Sequence, residues 1–506
     1  MTLSRTYTVA LMGLTGHPIE VEVDISDGLP SYVLLGLPDA ALAESRERVR
    51  SALVNTGAPW PNRKVTVSMS PAWLPKSGSS YDLPIAVGLL MSQGVIAQED
   101  RRDHILIGEL GLDGQVRSVR GVLPALLSAK KAGIKYAIIP EQNYQEAVAV
   151  EGLVIVPVDT LRTVIHYLAT SEIPERALMP LSSQQPMLDL SDVAGQKSAR
   201  RSLEISAIGG HHLLLIGPPG TGKTMLAERI PSILPLLNQE QSLEVAAINS
   251  IAGNWTPSRE ITRTPPFVSP HHSTTAVAMV GGGTHQIRPG ACSLANRGVL
   301  FIDEAPECGN GVLDSLRQPL ESGSVTISRS LATLTFPARF MLVLAANPCP
   351  CGKFSGRGRT CTCSSLQIRR YMQKLSGPLL DRIDIRVFVD APSRVEMASM
   401  APQESSAEVR TRVINARNIA AERFADEEWQ LNSEIPPSLL RKKYAAERSA
   451  MNILHQELDL ERLSARGFHK VLRVAWSIAD LSGHSTPTSV DVQEALAMRS
   501  GMENSG

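Results

Sequence analysis

The stretch HHLLLIGPPGTGKTMLAERI, residues 211 to 230, restricts the possible folds more than any other part of this chain. Leu213 to Ile216 are four apolar residues that read as a strand buried on both faces; a glycine-rich turn follows, and a helical pattern opens at Lys223. The spacing G-x-x-x-x-G-K-T is met by Gly217, Gly222, Lys223 and Thr224, with Pro218, Pro219, Gly220 and Thr221 between them. Where glycines carry no side chain, successive backbone N–H groups can curve around a β-phosphate, and the helix N-terminus adds partial positive charge. Lys223 is then placed to reach the β- and γ-phosphates, and Thr224 to hold Mg²⁺. A glycine-rich turn alone means little. With a strand before it and a helix behind it, the stretch predicts an ATP and Mg²⁺ site in an α/β core.

Hydrolysis also needs an acid near the metal and a group that polarises the attacking water. GVLFIDEA, residues 298 to 305, ends a short apolar strand in Asp303, for the Mg²⁺ water shell, and Glu304, for the water. A strand ending in Asp-Glu is common, but some eighty residues after a P-loop it carries weight. A further strand, RFMLVLAANP, ends in Asn347, which alone would read as a turn cap before proline. As the third strand end in this order, Asn347 is expected to hold the same water near the γ-phosphate.

The chain has 506 residues, enough for two to four domains. Strand-like runs (IEVEVDI, KVTVSM, YAIIP) alternate with helix-like ones (VLPALLSAKKAG) over residues 1–170, predicting a first α/β domain. Residues 171–189, rich in Pro, Ser and Gln, read as a linker, and 190–392 as a second α/β unit, the ATP-binding core. Residues 393–506 are Ala/Arg/Glu-rich with helical spacing and read as a helical domain. The fold class is α/β multidomain. Lys+Arg and Asp+Glu balance at 50 each, so no overall positive field argues for nucleic acid. No apolar run approaches the ~20 residues that span a bilayer, and no cleavable leader opens the chain. Six cysteines are too few for a disulfide scaffold. A cytoplasmic protein with no membrane partner is expected.

Longer phrases narrow the class. RPGACSLANRGVLFIDEAPE, LRQPLESGSVTISRS, AANPCPCG and SGPLLDRIDI resemble the magnesium-chelatase-like clade of AAA+ ATPases, specifically the YifB/ComM family of competence-related ATPases, over nearly the whole chain. The resemblance implies a ring, a homo-hexamer with ATP bound between subunits, and a C-terminal helical lid. It implies that Arg382, in LLDRID, is an arginine finger reaching the neighbour's γ-phosphate. It also implies that Arg466, in LSARGFHKVLRVAWSIADL, is the lid's sensor arginine, with Arg473 as the alternative. For either arginine the plain alternative is a surface salt bridge. Two insertions matter for substrate. AVAMVGGGTHQIRPGA, residues 276 to 291, has a glycine-rich centre followed by His285 and Arg288; LESGSVTISRSLATLTF reads as a β-hairpin with Arg329 near its tip. In related ring helicases such insertions line the channel and follow a nucleic-acid backbone, so the resemblance implies DNA contacts at Arg288 and Arg329. Composition alone would make them ordinary surface hairpins.

The N-terminal domain resembles the proteolytic domain of Lon-type proteases. PKSGSSYDLPIAVGLL parallels the stretch around the Lon serine, and IGELGLDGQVRSVRGVLPALLSAKKAGIKYAIIP the segment carrying the Lon lysine. Ser80 falls on the serine position, but Ala125 falls on the lysine position, and alanine cannot take the proton that an attacking serine must lose. Lys130 and Lys131 lie five and six residues beyond it, and Asp82 replaces a small residue beside the serine. A Lon-like domain without protease activity is expected.

CPCGKFSGRGRTCTC presents Cys349, Cys351, Cys361 and Cys363 as two C-x-C pairs nine residues apart. Four thiolates in one loop suit tetrahedral Zn²⁺, although C-x-x-C is the commoner spacing; the alternative is four oxidisable thiols. Lys353, Arg357 and Arg359 add charges to that loop that suit phosphates, and Cys292 and Cys308 stand apart. The reading is an ATP-driven hexameric DNA motor that, by resemblance, migrates branches on recombination intermediates when incoming single-stranded DNA is integrated. Two alternatives stay open. One is a chelatase-type motor that remodels a partner protein, although such ATPase subunits usually lack a Lon-like domain; the other is a Lon-like protease, which Ala125 counts against.

Overall fold

A computed structural model describes residues 2–98, 101–175, 188–255, 261–283, 287–309, 311–328, 333–354, 361–391, 396 and 403–501. Arg329, His285, Arg357, Arg359, most of the expected linker and the expected boundary at 392 lie outside them.

The alternation IEVEVDI produces a half-buried strand. β1 (Thr2–Met12), β2 (Thr15–Ser26), β3 (Ser31–Leu35) and β4 (Lys64–Ser70) form a sheet in the order β1-β2-β4-β3, antiparallel except for β3 with β4. Ile19, Val21, Val23 and Ile25 point inward from β2, where α1 (Ser45–Thr56) and α2 (Asp82–Ser92) meet them. Every residue of α2 is buried, because a second, parallel sheet also packs into this core: β5 (His104–Leu106), β6 (Tyr136–Pro140) and β7 (Val154–Val158). α3 (Val122–Lys131) and α4 (Leu161–Thr170) complete this α/β unit.

The second unit comprises α5 (Lys197–Gly209), β8 (Leu213–Ile216), α6 (Lys223–Ile233), α7 (Gln239–Ala252), β9 (Phe267–Val268), the paired β10 (Gly281–Gly282) and β11 (Arg288–Pro289), and β12 (Val299–Ile302). The hairpin β13 (Ser324–Ser328) and β14 (Thr333–Pro337) follows, then β15 (Met341–Ala346), α8 (Ser365–Gln373) and β16 (Ile385–Phe388). Five strands form one all-parallel sheet in the order β9-β12-β15-β8-β16. β8, β12 and β15 are buried at every residue, as expected of a parallel sheet covered on both faces. The pleat sends alternate side chains into two cores. Leu213, Leu215, Val299 and Phe301 pack with α5, α6 and the C-terminal helices, whereas Leu214, Leu300, Ile302 and Leu344 pack with Val325, Ile327 and Phe336 of the β13–β14 hairpin.

Beyond residue 403 only helical elements occur among the described residues, chiefly α9 (Ser406–Arg423), α10 (Arg448–Asp459), α11 (Ala465–Ser482) and α12 (Ser489–Ser500). Ser405 and Glu408 form a capping box that starts α9, satisfying N–H groups the first turn leaves free. Among the described residues, the N-terminal unit meets the second one at several places. α3 packs on α7 through Ala246 and Ala247, with the Gly121 N–H donating to the Ser250 carbonyl at 3.2 Å. At Gly13, in the β1–β2 turn, a Cβ would lie 3.3 Å from the Thr335 carbonyl of β14. No helix among the described residues is long and apolar enough to cross a membrane.

Candidate active site at three strand ends

Ligands of open parallel sheets gather beyond the carboxyl ends of the strands. β8, β15 and β12 are neighbours in the sheet, so the residues that follow them, Gly217, Asn347 and Asp303, reach one edge together. The Gly217 N–H donates to the Ala346 carbonyl at 3.1 Å, tying the P-loop to the end of β15. A Cβ on Gly217 would lie 2.2 Å from the Val389 carbonyl, so no other residue fits there. Gly222 has φ 87°, a left-handed conformation that lets α6 begin at Lys223.

Lys223 is buried, and its ammonium donates to the carbonyls of Gly217 (2.7 Å) and Pro218 (2.9 Å) and to Asn347 Oδ1 (3.3 Å). Burial pushes its pKa down, while the carboxylates of Asp303 and Glu304 work against that shift. The Thr224 hydroxyl donates to Asp303 Oδ2 at 2.8 Å. A hydroxyl and a carboxylate in contact beside a lysine are hard oxygen donors that fit Mg²⁺ with a phosphate ligand. Glu304 is exposed and takes φ 48°, an uncommon conformation for a residue with a β-carbon, and its N–H donates to Asp303 Oδ1 at 2.8 Å. The Asn347 backbone also hydrogen-bonds Tyr371 of α8, whose phenol burial pushes up to about 12.

Several residues of this site, among them Tyr371, escaped the sequence reading. His272 Nδ1 lies 3.5 Å from Glu304 Oε2, and its ring stands 4.0 Å from that of His271. The pair follows β9, a fourth strand of the same sheet; its two-residue length left no pattern to find, and only the polar PHHSTT run after it was legible. Gln196, at φ 52° before α5, donates from its amide to the Thr221 carbonyl and so braces the P-loop from outside.

Other expected residues lie elsewhere. Arg382 pairs with Glu321 and donates to the Pro378 carbonyl at 2.6 Å. Its own carbonyl accepts from Lys470 of α11 at 2.9 Å, and Lys470 also pairs with buried Asp384. Burial opposes ionisation of Asp384, but Lys470, His211 and His212 more than offset it and hold its pKa well below the usual range. Arg466 is 75% exposed and sits 3.8 Å from Asp381, the neighbour of Arg382. Arg473 is instead committed to the Ile435 carbonyl. Arg288 is exposed on β11 without an ion-pair partner among the described residues. A Cβ on Gly281 would lie 2.9 Å from Ile327, so the two insertions pack side by side. Cys349, Cys351, Cys361 and Cys363 converge, their sulfurs all within 4.8 Å of one another.

Neither the position of the Lon lysine nor the nearby Lys76 offers Ser80 a base among the described residues. Ala125 is buried among Val9, Ile105 and Leu126, and Lys76 spends its ammonium on the Met69 and Pro71 carbonyls. Asp82 is buried and held by the Arg48 guanidinium at 2.6 and 3.0 Å; burial raises its pKa to about 6 against that pull. The Ser80 hydroxyl makes no hydrogen bond among the described residues, and its carbonyl accepts from Gly108. A serine-directed fluorophosphonate should therefore leave the protein unlabelled; labelling that disappears in Ser80→Ala would show that a base reaches it after all.

Family models cover most of the chain. The model for magnesium chelatase, subunit ChlI, matches residues 189–397, that for the subunit ChlI of Mg-chelatase matches 21–143, and that for the ChlI C-terminal region matches 403–499. An uncharacterized protein of Mycobacterium tuberculosis is 46% identical over 500 residues, covering 99% of each chain. The uncharacterized protein YifB of Escherichia coli is 42% identical over 502 residues, covering 99% of this chain and 97% of that one. The competence protein ComM of Haemophilus influenzae is 40% identical over 514 residues, covering 99% and 98%.

Proposed function

This chain belongs to the YifB/ComM family of magnesium-chelatase-like AAA+ proteins, and from that premise we propose that it is an ATP-driven ring motor acting on DNA. Residues 217 to 224 cradle the phosphates, Thr224 and Asp303 hold Mg²⁺, Glu304 activates the water and Asn347 positions it. The working unit is a homo-hexamer in the cytoplasm, with Arg382 supplied to the neighbour's ATP. Arg466, through Asp381, belongs to the same inter-subunit contact. The substrates are single-stranded and branched DNA, and the outcome is branch migration on recombination intermediates. One relative is named a competence protein, which fits such a task.

The observation that carries the DNA reading is mechanical. The β13–β14 hairpin is rooted in the same apolar core as Leu300 and Ile302 of β12, the strand that ends in Asp303 and Glu304. A change at the γ-phosphate is thereby transmitted through packed side chains to both insertions. Closely packed cores move as units rather than deform smoothly.

The test is a salt titration of DNA binding. Grip through Arg288, Arg329 and backbone amides should give log K a loss of about 0.7 to 0.9 per phosphate contacted for each tenfold rise in salt, with slight sequence preference. Arg288→Ala should lower affinity and DNA-stimulated hydrolysis for all sequences and reduce the slope by about one. DNA-independent turnover and ring assembly should persist. Partner remodelling is the second reading, and the N-terminal domain does not argue against it, since residues 21–143 themselves match a chelatase model. Verified hexamers that neither bind DNA nor respond to it at low salt would hand the assignment to that reading.

A further inference from the structure

We propose that the four clustered cysteines hold a Zn²⁺ ion that clamps the phosphate-binding loop, so that metal occupancy and nucleotide affinity are linked. The proposal rests on reading residues 217 to 224 as the ATP site. Tetrahedral zinc with Zn–S bonds of about 2.3 Å sets its sulfurs about 3.8 Å apart. The Cys349–Cys361 and Cys351–Cys361 sulfurs are 3.7 Å apart and Cys349–Cys351 3.4 Å, near that edge length and far from a disulfide's ~2.05 Å. An all-thiolate set is soft and selects zinc-like ions over magnesium.

The cluster's position gives it a task beyond stapling its own loop. Cys349 follows Asn347 by two residues, and Asn347 is hydrogen-bonded to Lys223. The turn from Cys349 closes with the Gly352 N–H donating to the Cys349 carbonyl at 2.9 Å. Gly352 has φ 72°, and a Cβ there would lie 2.5 Å from Pro219 Cδ, inside the P-loop. The turn thus lies flat against the flank of the phosphate cradle. Cys361 and Cys363 lead directly into the Ser364 capping box of α8, which carries Tyr371 back to Asn347. One ion therefore joins the end of β15, the side of the P-loop and the start of α8. Once the ion is removed, the two C-x-C pairs lose that cross-link, and Pro219 loses its wall. Linkage makes the effect reciprocal: bound nucleotide must tighten the metal by the same factor.

The experiment uses full-length protein purified without chelator from zinc-replete medium. Elemental analysis should find about one zinc per chain, as a four-thiolate site requires. Removing it should weaken a fluorescent ATP analogue about tenfold, within the usual range of coupling between two sites, with zinc restoring the affinity, and the analogue should slow chelator-driven zinc release. Gly352→Ala should keep its zinc yet lose nucleotide affinity, which tests the contact of this turn with Pro219; if the stripped protein unfolds, the rate of chelator-driven zinc release with and without the analogue decides the linkage. Zinc that comes and goes with no change in nucleotide affinity, or a release rate the analogue does not alter, would overturn the clamp while leaving the metal site. Absence of zinc with four freely titratable thiols would remove both. Zinc-dependent nucleotide binding that persists unchanged in Lys223→Ala would instead fault the ATP-site reading.

Discussion

Glu304→Gln should leave ATP bound and stop its hydrolysis, whereas Lys223→Ala should lose the nucleotide. The two outcomes differ because the side chains meet different parts of the reaction. Lys223 is the buried cation of the loop, held between the Gly217 and Pro218 carbonyls and Asn347, where it would meet the phosphates in ground and transition state alike. Glu304 projects from a left-handed backbone beside Asp303, exposed, with His272 3.5 Å from its carboxylate. Its amide replacement keeps the shape but cannot take a proton. Loss of a general base costs about 10²–10⁴-fold in rate. Nucleotide affinity and single-turnover hydrolysis measured on both variants separate the roles. Equal ATP affinity in wild type and Lys223→Ala would sink the P-loop assignment.

Arg382→Ala should lower hydrolysis by about 10³–10⁵-fold, the range over which arginine fingers act by neutralising charge in the transition state. Within its own subunit Arg382 is occupied by Glu321 and the Pro378 carbonyl, with no hydrogen bond or ion pair to residues 217 to 224 among the described residues. Its backbone is fixed by Lys470, which the buried Asp384 pair anchors to the sheet. A rigid base with a partly exposed tip suits a group delivered to a neighbour. Rings mixed from Arg382→Ala and Lys223→Ala subunits should regain part of the activity, since some interfaces then pair an intact finger with an intact loop. No rescue in rings shown to be mixed would mean that Arg382 works within its own chain or not at all.

Much of the second unit was legible from local pattern. LLLI, VLFI and MLVLAA each form a short strand buried on both faces, and SVTIS with TLTFP forms the hairpin read in the sequence. IEVEVDI alternates in the fold as it does in the text. Arg466 was less legible: an arginine on a helical face carries no mark of its partner, and the structure sets it beside Asp381 rather than among the phosphate-loop residues.

What the sequence by itself determined is the chemistry at each strand end, because fixed spacing and side-chain period are properties of a dozen consecutive residues. The tertiary structure alone decided who stands beside whom. The order β9-β12-β15-β8-β16 brings Asp303 to Thr224 and Asn347 to Lys223 across gaps of 79 and 124 residues. The same long-range packing sets His272 at Glu304, Glu321 at Arg382, and Gly352 on Pro219. Such contacts arise from side chains filling space between elements, and no periodicity along the chain encodes them.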